Sequence, residues 1–516
     1  MPAHAEGEPT AAPSIAASLL PSPGAGQKVP PSPSVASIPS SPSSPATSDP
    51  TGPATSPSVT PLPSPKPESN GATTAKELPS GVAAVGAGEA AINAHWISLG
   101  GAAGSLGSVA SSVSCELRER GCVQRFERGA IHWTAKTGPH ATKAAIADRW
   151  AIMNWESGRL GYPVSDEKCG LKNGGCVQRF EGGAVHWSSS SGAHATVAAI
   201  AARWATLNWE SGRLGYPVSD ERCGLKNDGC VQRFEGGVIY WSAFGGAQPM
   251  WGAILASYGA RSWESGSLGY PVAAESCPGS SSCSQEFQYG RFTWNEGEGV
   301  KYHLRSAGYC ESLNRNAVGY LGAGPARVSF AIAESYPATP VTFTNCVRVN
   351  GLYQVEWAVP GYAGESGFAR PGVASGPTIN KFSPTGSFSV TEAFGLGNPG
   401  TGLSYRQLNP YSRWGGRLNS NYNKYFESSA DIFPDENMWY YATRPSHDYR
   451  QGVVINYNRP PDSAIQMNAG FAIFLHANRV PTWGCISLNE ADVVRYQRTA
   501  VPGDRIIMGV GEDVFN

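Results

Sequence analysis

At 516 residues, with 15% of them charged and a net charge of −1, the chain is long enough for two or three domains and shows no basic footprint of the kind nucleic acid requires. No 18-residue apolar run is present, which argues against a transmembrane span. Residues 1–30 hold no basic segment leading into an apolar core, Ile15 to Leu20 being the nearest approach. The expectation is therefore an export signal upstream of Met1, or one of another kind.

Residues 1–80 are mostly Pro, Ser, Ala, Thr and Gly, with too few large apolar side chains to offset the entropy of ordering. They read as a disordered spacer with polyproline character, a passive tether rather than a ligand for a Pro-binding domain. From 84 to 300 the sequence repeats four times. Cys115, Cys169, Cys223 and Cys277 form one series at a period of 54 residues, and Cys122, Cys176, Cys230 and Cys283 form a second, one residue short in the last copy. Eight cysteines allow 105 pairings, and pairing within each unit is the simplest. Such a bridge closes a small loop and stabilises a thinly cored module. Zinc is disfavoured, because each unit offers two thiols and no histidine recurs through all copies.

Each unit carries a helical run such as Ala198–Trp204, then a turn at Leu160–Pro163, Leu214–Pro217 or Leu268–Pro271. A strand-like stretch such as Cys176–Trp187 follows, with a Gly-Gly turn that predicts a hairpin. Neighbouring units are expected to stack and complete a shared core. Trp155, Trp209 and Trp263 recur in register and read as core residues rather than sugar platforms. His132 and His186 are replaced by Tyr240 and Thr293 in later copies, and His140 and His194 are matched by Gln248. All four histidines read as surface or partly buried residues. The Trp…Leu-Gly-Tyr-Pro pattern resembles the LGFP repeat of cell-envelope proteins, well in three copies and poorly in the first, which keeps only Leu106-Gly107. The resemblance implies envelope association, with a polysaccharide as partner.

From 320 to 511 short Val/Ile/Phe-rich runs alternate with Gly and Pro turns, beginning at Val328, Val341, Tyr353, Gly386, Gly452, Ala472 and Arg505. This region is mainly β. The fold class expected for the whole chain is thus multidomain: a disordered N-terminus, an α+β repeat array and a mainly-β C-terminal domain. Ser487 to Glu490 reads as a capping box opening a helix. Cys310 and Cys346, between the repeats and this region, can pair with each other, which leaves Cys485 over. That thiol stands nine residues after His476, just ahead of the expected helix, where a positive dipole end favours the thiolate. His476 could take its proton, and backbone N–H groups at Gly484 and Cys485 could hold an oxyanion.

Pro384-Thr-Gly386-Ser-Phe, Ser404-Tyr-Arg, Phe474-Leu-His476 and Pro481-Thr-Trp-Gly484-Cys485-Ile-Ser together resemble the YkuD-type L,D-transpeptidases. The resemblance implies a β-rich catalytic fold whose cysteine attacks peptidoglycan stem peptides. It makes Cys485 the nucleophile, His476 the base, Gly484 the glycine before the cysteine and Thr482 the motif's hydroxyl residue. Trp483 stands where the family usually has His, and Ser487 where it often has Arg or Asn; both are taken as substrate-side positions. His447, Tyr405 and Arg406 are further candidates for lining the site. No motif calls for a cofactor or metal. The expected location is secreted or wall-associated. A non-catalytic envelope protein and a thiol peptidase are the alternatives.

Overall fold

The computed structural model describes residues 81–320 and 324–515. The stretch 1–80, expected to be a spacer, lies outside the described residues. Each repeat begins with a helix: α1 (Gly81–Ser98), α2 (Ala144–Ile152), α3 (Ala198–Thr206) and α4 (Gly252–Ala260). A one-turn 3-10 helix with Trp-Glu-Ser follows in the last three, leading into Leu-Gly-Tyr-Pro. The expected hairpin is a larger sheet. In the second unit Lys168–Cys169, Cys176–Phe180, Gly183–Ser188 and Gly192–Val197 form a four-stranded meander. The last of these strands runs directly into α3 and is built from small residues with no clear alternation, which hides it in the sequence.

All five expected disulfides are formed: Cys115–Cys122, Cys169–Cys176, Cys223–Cys230, Cys277–Cys283 and Cys310–Cys346. Cys169 lies directly opposite Cys176 across an antiparallel pair, and Cys223 opposite Cys230, so each bridge staples a strand to its neighbour. The loop so closed receives the next unit. Tyr162, Tyr216 and Tyr270 donate their hydroxyls to the carbonyls of Arg118, Lys172 and Lys226 at 2.6, 2.7 and 2.6 Å. Glycine precedes the second cysteine of the loop for a steric reason. A Cβ on Gly121, Gly175 or Gly229 would sit 2.1–2.2 Å from that hydroxyl.

His132 and His186 are not at the surface. Each is buried edge-on against an indole, Trp150 or Trp204, at 4.7 Å between ring centroids. Their hydrophobic surroundings push both imidazoles down to about 3. Trp155, Trp209 and Trp263 pack edge-on against Trp150, Trp204 and Tyr258, yet stay 39%, 38% and 41% exposed.

After helix α5 (Ser306–Asn314) come twelve strands: β1 (Arg327–Ala333), β2 (Pro340–Val349), β3 (Leu352–Tyr362), β4 (Gly386–Gly395), β5 (Ser404–Gln407), β6 (Ser412–Trp414), β7 (Tyr425–Glu427), β8 (Glu436–Asn437), β9 (Gln451–Ile455), β10 (Phe474–His476), β11 (Ile486–Ser487) and β12 (Arg505–Val510). Helix α6 (Met438–Thr443) follows β8, and α7 (Glu490–Thr499) follows β11. Nine strands run in the order β5-β4-β9-β10-β11-β3-β2-β1-β12, and β12 also pairs with β4, so eight of them close on themselves. Successive side chains point to opposite faces. Val453, Ile455, Leu475 and Ile486 enter one core, with Val493 and Tyr496 of α7. Val454 and Phe474 enter another, with Trp414, Tyr449 and Cys485. The segment from β6 to α6 covers that second face.

Ser487 does not cap α7. Its hydroxyl donates to the Val480 carbonyl at 2.6 Å inside the fold, and Asn489 occupies the N-cap position.

Candidate active site

Strands β10 and β11 are parallel neighbours, with Leu475 opposite Ile486 and His476 opposite Ser487. The nine-residue connection between them carries Thr482, Trp483, Gly484 and Cys485, and the pairing returns Cys485 to the side of Phe474. There the Phe474 N–H donates to the Cys485 sulfur at 3.3 Å, and the thiol donates to the Ala472 carbonyl at 3.2 Å. Cys485 is the one free cysteine among the described residues. Thr482 fixes the turn: its hydroxyl donates to the Cys485 carbonyl at 2.7 Å and accepts from the Gly484 N–H at 3.1 Å. Ser383 adds a hydrogen bond to the Gly484 carbonyl at 2.8 Å. Gly484 has φ of +127°, and a Cβ there would lie 3.0 Å from the Phe382 carbonyl oxygen. The Gly484 N–H is thus engaged by Thr482 at rest rather than open as an oxyanion donor.

His476 bonds through Nδ1 to the carbonyl of Ala477. A carbonyl only accepts, so Nδ1 carries the hydrogen and Nε2 is left as the basic nitrogen of the neutral ring. Burial lowers its pKa to about 4, so the ring is neutral near pH 7.

His476, Cys485, Thr482 and Trp483 line one cavity of about 290 Å³. Its walls also include groups the sequence did not single out, among them Glu365, Glu436, Tyr441, Arg444, Asp448 and Tyr449. Tyr449 donates its hydroxyl to Glu436, and its ring stands edge-on to His476 at 5.3 Å. Arg444 pairs with Asp448, which also accepts from Asn478. Burial pushes the Glu436 carboxyl up to about 7.

Three expectations for the site are corrected. The Cys485 thiol is pushed up, first by burial and then by the Glu436 charge, instead of down. Helix α7 starts only at Glu490, beyond the β11 strand, and a helix dipole acts within its first turn. Ser487 is buried on its own hydrogen bond and does not line the cavity. His447, Tyr405 and Arg406 are also elsewhere. His447 sits in the turn after α6 with φ of +54°. Tyr405 and Arg406 lie on the edge strand β5, Tyr405 facing Gln451 and Arg406 stacked 4.0 Å over the Tyr425 ring. Trp483 is at the rim, 51% exposed with Lys381 over its ring, so the indole does not fill the cavity.

The repeat array decides what the chain resembles. The LGFP repeat family model matches residues 106–158, 160–212 and 214–266. The LGFP repeats suggest a cell-wall-associated protein. Among the described residues no helix is long and apolar enough to cross a membrane. The matched set includes the copy beginning at Leu106, which was expected to fit poorly, and stops before the one beginning at Leu268. That fourth unit departs in structure too, with a shorter disulfide loop and a sheet of three strands instead of four. The match does not reach the cavity around Cys485, and no curated protein matches the chain.

Proposed function

We propose that the chain is a wall-associated acyltransferase of the YkuD L,D-transpeptidase kind, held in the envelope by its LGFP repeats. The observation that supports this most is the pairing of a single unbridged thiol, Cys485, with a neutral histidine whose Nδ1 is pinned and whose Nε2 is free, in one cavity. In this reading Cys485 sulfur attacks a stem-peptide carbonyl. The C–S bond forms as the C–N bond breaks, the departing amine takes up the thiol proton, and a thioester remains. An amine acceptor then attacks the thioester, giving one proton to His476 Nε2, which returns it to the departing sulfur. The Cys485 N–H is the oxyanion donor this scheme requires. In the repeats, the groove of about 770 Å³ lined by Trp209, His186, Arg179, Asp166 and Glu210 is the surface offered to a wall polysaccharide.

A carbapenem tests the chemistry, because its strained amide acylates a nucleophilic thiol without an acceptor. Intact mass should rise by one drug molecule on the wild type and not on Cys485→Ala. A folded wild type that gains no mass would favour the second reading, a binding protein, for which the burial and raised pKa of the thiol speak. Supplying an amine and scoring cross-linked against hydrolysed product separates transfer from peptidase action.

A further inference from the structure

The first two repeats meet at a polar cluster away from the Cys485 cavity. His95 of α1 turns its Nε2 to the Asp166 carboxylate, 3.1 Å from Oδ1 and 3.0 Å from Oδ2. His140, on the strand Gly138–Thr142, has its Nε2 3.0 Å from the Thr137 carbonyl oxygen. A carbonyl only accepts, so this Nε2 carries the hydrogen and Nδ1 keeps a lone pair. That Nδ1 is buried with no hydrogen-bond partner, and it faces Asp166 Oδ1 at 3.7 Å. A lone pair set against a carboxylate is repulsive, and a positive charge between the two would relieve it.

The chain holds its own control one period of 54 residues later. There His194 and Asp220 repeat the arrangement, with His194 Nε2 3.0 Å from the Ser191 carbonyl and Nδ1 3.6 Å from Asp220. Arg149 takes the place of His95, and its guanidinium supplies the charge: Nη2 lies 3.2 Å from His194 Nδ1 and 3.0 Å from Asp220. At the third junction Gln248 and Ala274 replace the histidine and the carboxylate, so neither donor remains.

We infer that His95, His140 and Asp166 bind a divalent transition-metal cation of the zinc kind, which does at the first junction what the Arg149 guanidinium does at the second. The donors are His95 Nε2, His140 Nδ1 and a carboxylate oxygen, three protein ligands that leave a position for water. The expectation against zinc concerned donors within one unit, whereas these come from two. Outer partners are in place: Thr137 holds the His140 ring through Nε2–H, and the Ala141 N–H donates to Asp166 at 2.8 Å. With metal on Nε2, neutral His95 carries its hydrogen on Nδ1. The two imidazole centres stand 6.3 Å apart, against about 5 Å for a pair on one tetrahedral zinc, so binding draws the rings together by about 1 Å. The ion clamps α1 and the first sheet onto the second unit.

The test is calorimetric titration of zinc into the full chain carrying Cys485→Ala, which removes the one free thiol among the described residues. One equivalent should bind and raise the melting temperature. His95→Arg and His140→Gln install what the second and third junctions already carry, so the repeat fold accommodates both. Each should weaken zinc binding by at least about 100-fold and abolish the thermal shift. Arg149→His, which copies the first junction onto the second, should add a second equivalent. A parent chain that binds no zinc, or binding that persists in both His variants, would overturn the site. So would a first junction tightened by acid and indifferent to zinc, because a proton would then be the missing charge.

Discussion

His132 and His186 sit against buried indoles with their imidazoles held at about 3. In an unfolded chain the same groups bind a proton near pH 6.5. Between pH 6.5 and 3 the unfolded state therefore carries more protons, and stability falls as pH drops through that window. The third unit places Tyr240 at this position, so its fold lacks the liability. A His132→Gln, His186→Gln double variant should narrow the gap between melting temperatures at pH 7.5 and 4.5. An unchanged gap would mean that other groups, such as Asp166 and its histidine partners, govern acid sensitivity. Cys485 obeys the same rule with the opposite sign, because burial favours the neutral form of any side chain. The proposed acyl transfer would therefore need neighbours that remove the proton, since burial does not favour a thiolate at rest.

At the scale of elements, the tyrosine of Leu-Gly-Tyr-Pro works as a clasp between units. Tyr216→Phe removes its hydrogen bond to Lys172 and should cost about 1 kcal/mol. Gly175→Ala drives a methyl group into the Tyr216 hydroxyl and should cost on the order of 1–3 kcal/mol. Urea unfolding of both variants measures the two. The 54-residue period made the helix, the bridges and the stacking legible, because regular spacing survives translation into structure. The last strand of each sheet stayed hidden, since Gly192–Val197 blends into the helix that follows. In the candidate site the linear motif exposed His476, Thr482, Gly484 and Cys485. Glu436, Arg444 and Tyr449 reach the cavity only because the segment between β5 and β9 folds over the sheet, and no local spacing encodes that. The capping box at Ser487 failed for a related reason: the tight parallel connection offered the hydroxyl a nearer acceptor.

Across the whole folded region, the repeats and the C-terminal strands share a core. Tyr258, Phe287 and Phe292 of the last unit belong to one apolar cluster with Val328, Phe330 and Phe515. Tyr309 stacks on Phe515 at 5.0 Å, and the Arg315 guanidinium donates to the Glu264 carbonyl at 2.7 Å. The fourth unit, whose sheet lies beyond the LGFP match, thus shares its core with the C-terminal sheet. The LGFP match, and with it the proposed wall contact, lies in the earlier units. If the repeats make the proposed wall contact, Trp209→Ala should release the protein from purified cell walls at lower salt or sugar concentration than the wild type, with the proposed carbapenem acylation of Cys485 unchanged. Equal retention would move the adhesive surface elsewhere.

The clasps have a mechanical meaning. Each tyrosine hooks into a ring of backbone that a disulfide has already closed, so the anchor point cannot unravel before the hook lets go. An array built this way yields under tension one link at a time, each releasing on the order of 150 Å of chain. Under the proposed envelope role, such an array would lengthen stepwise under load instead of tearing loose.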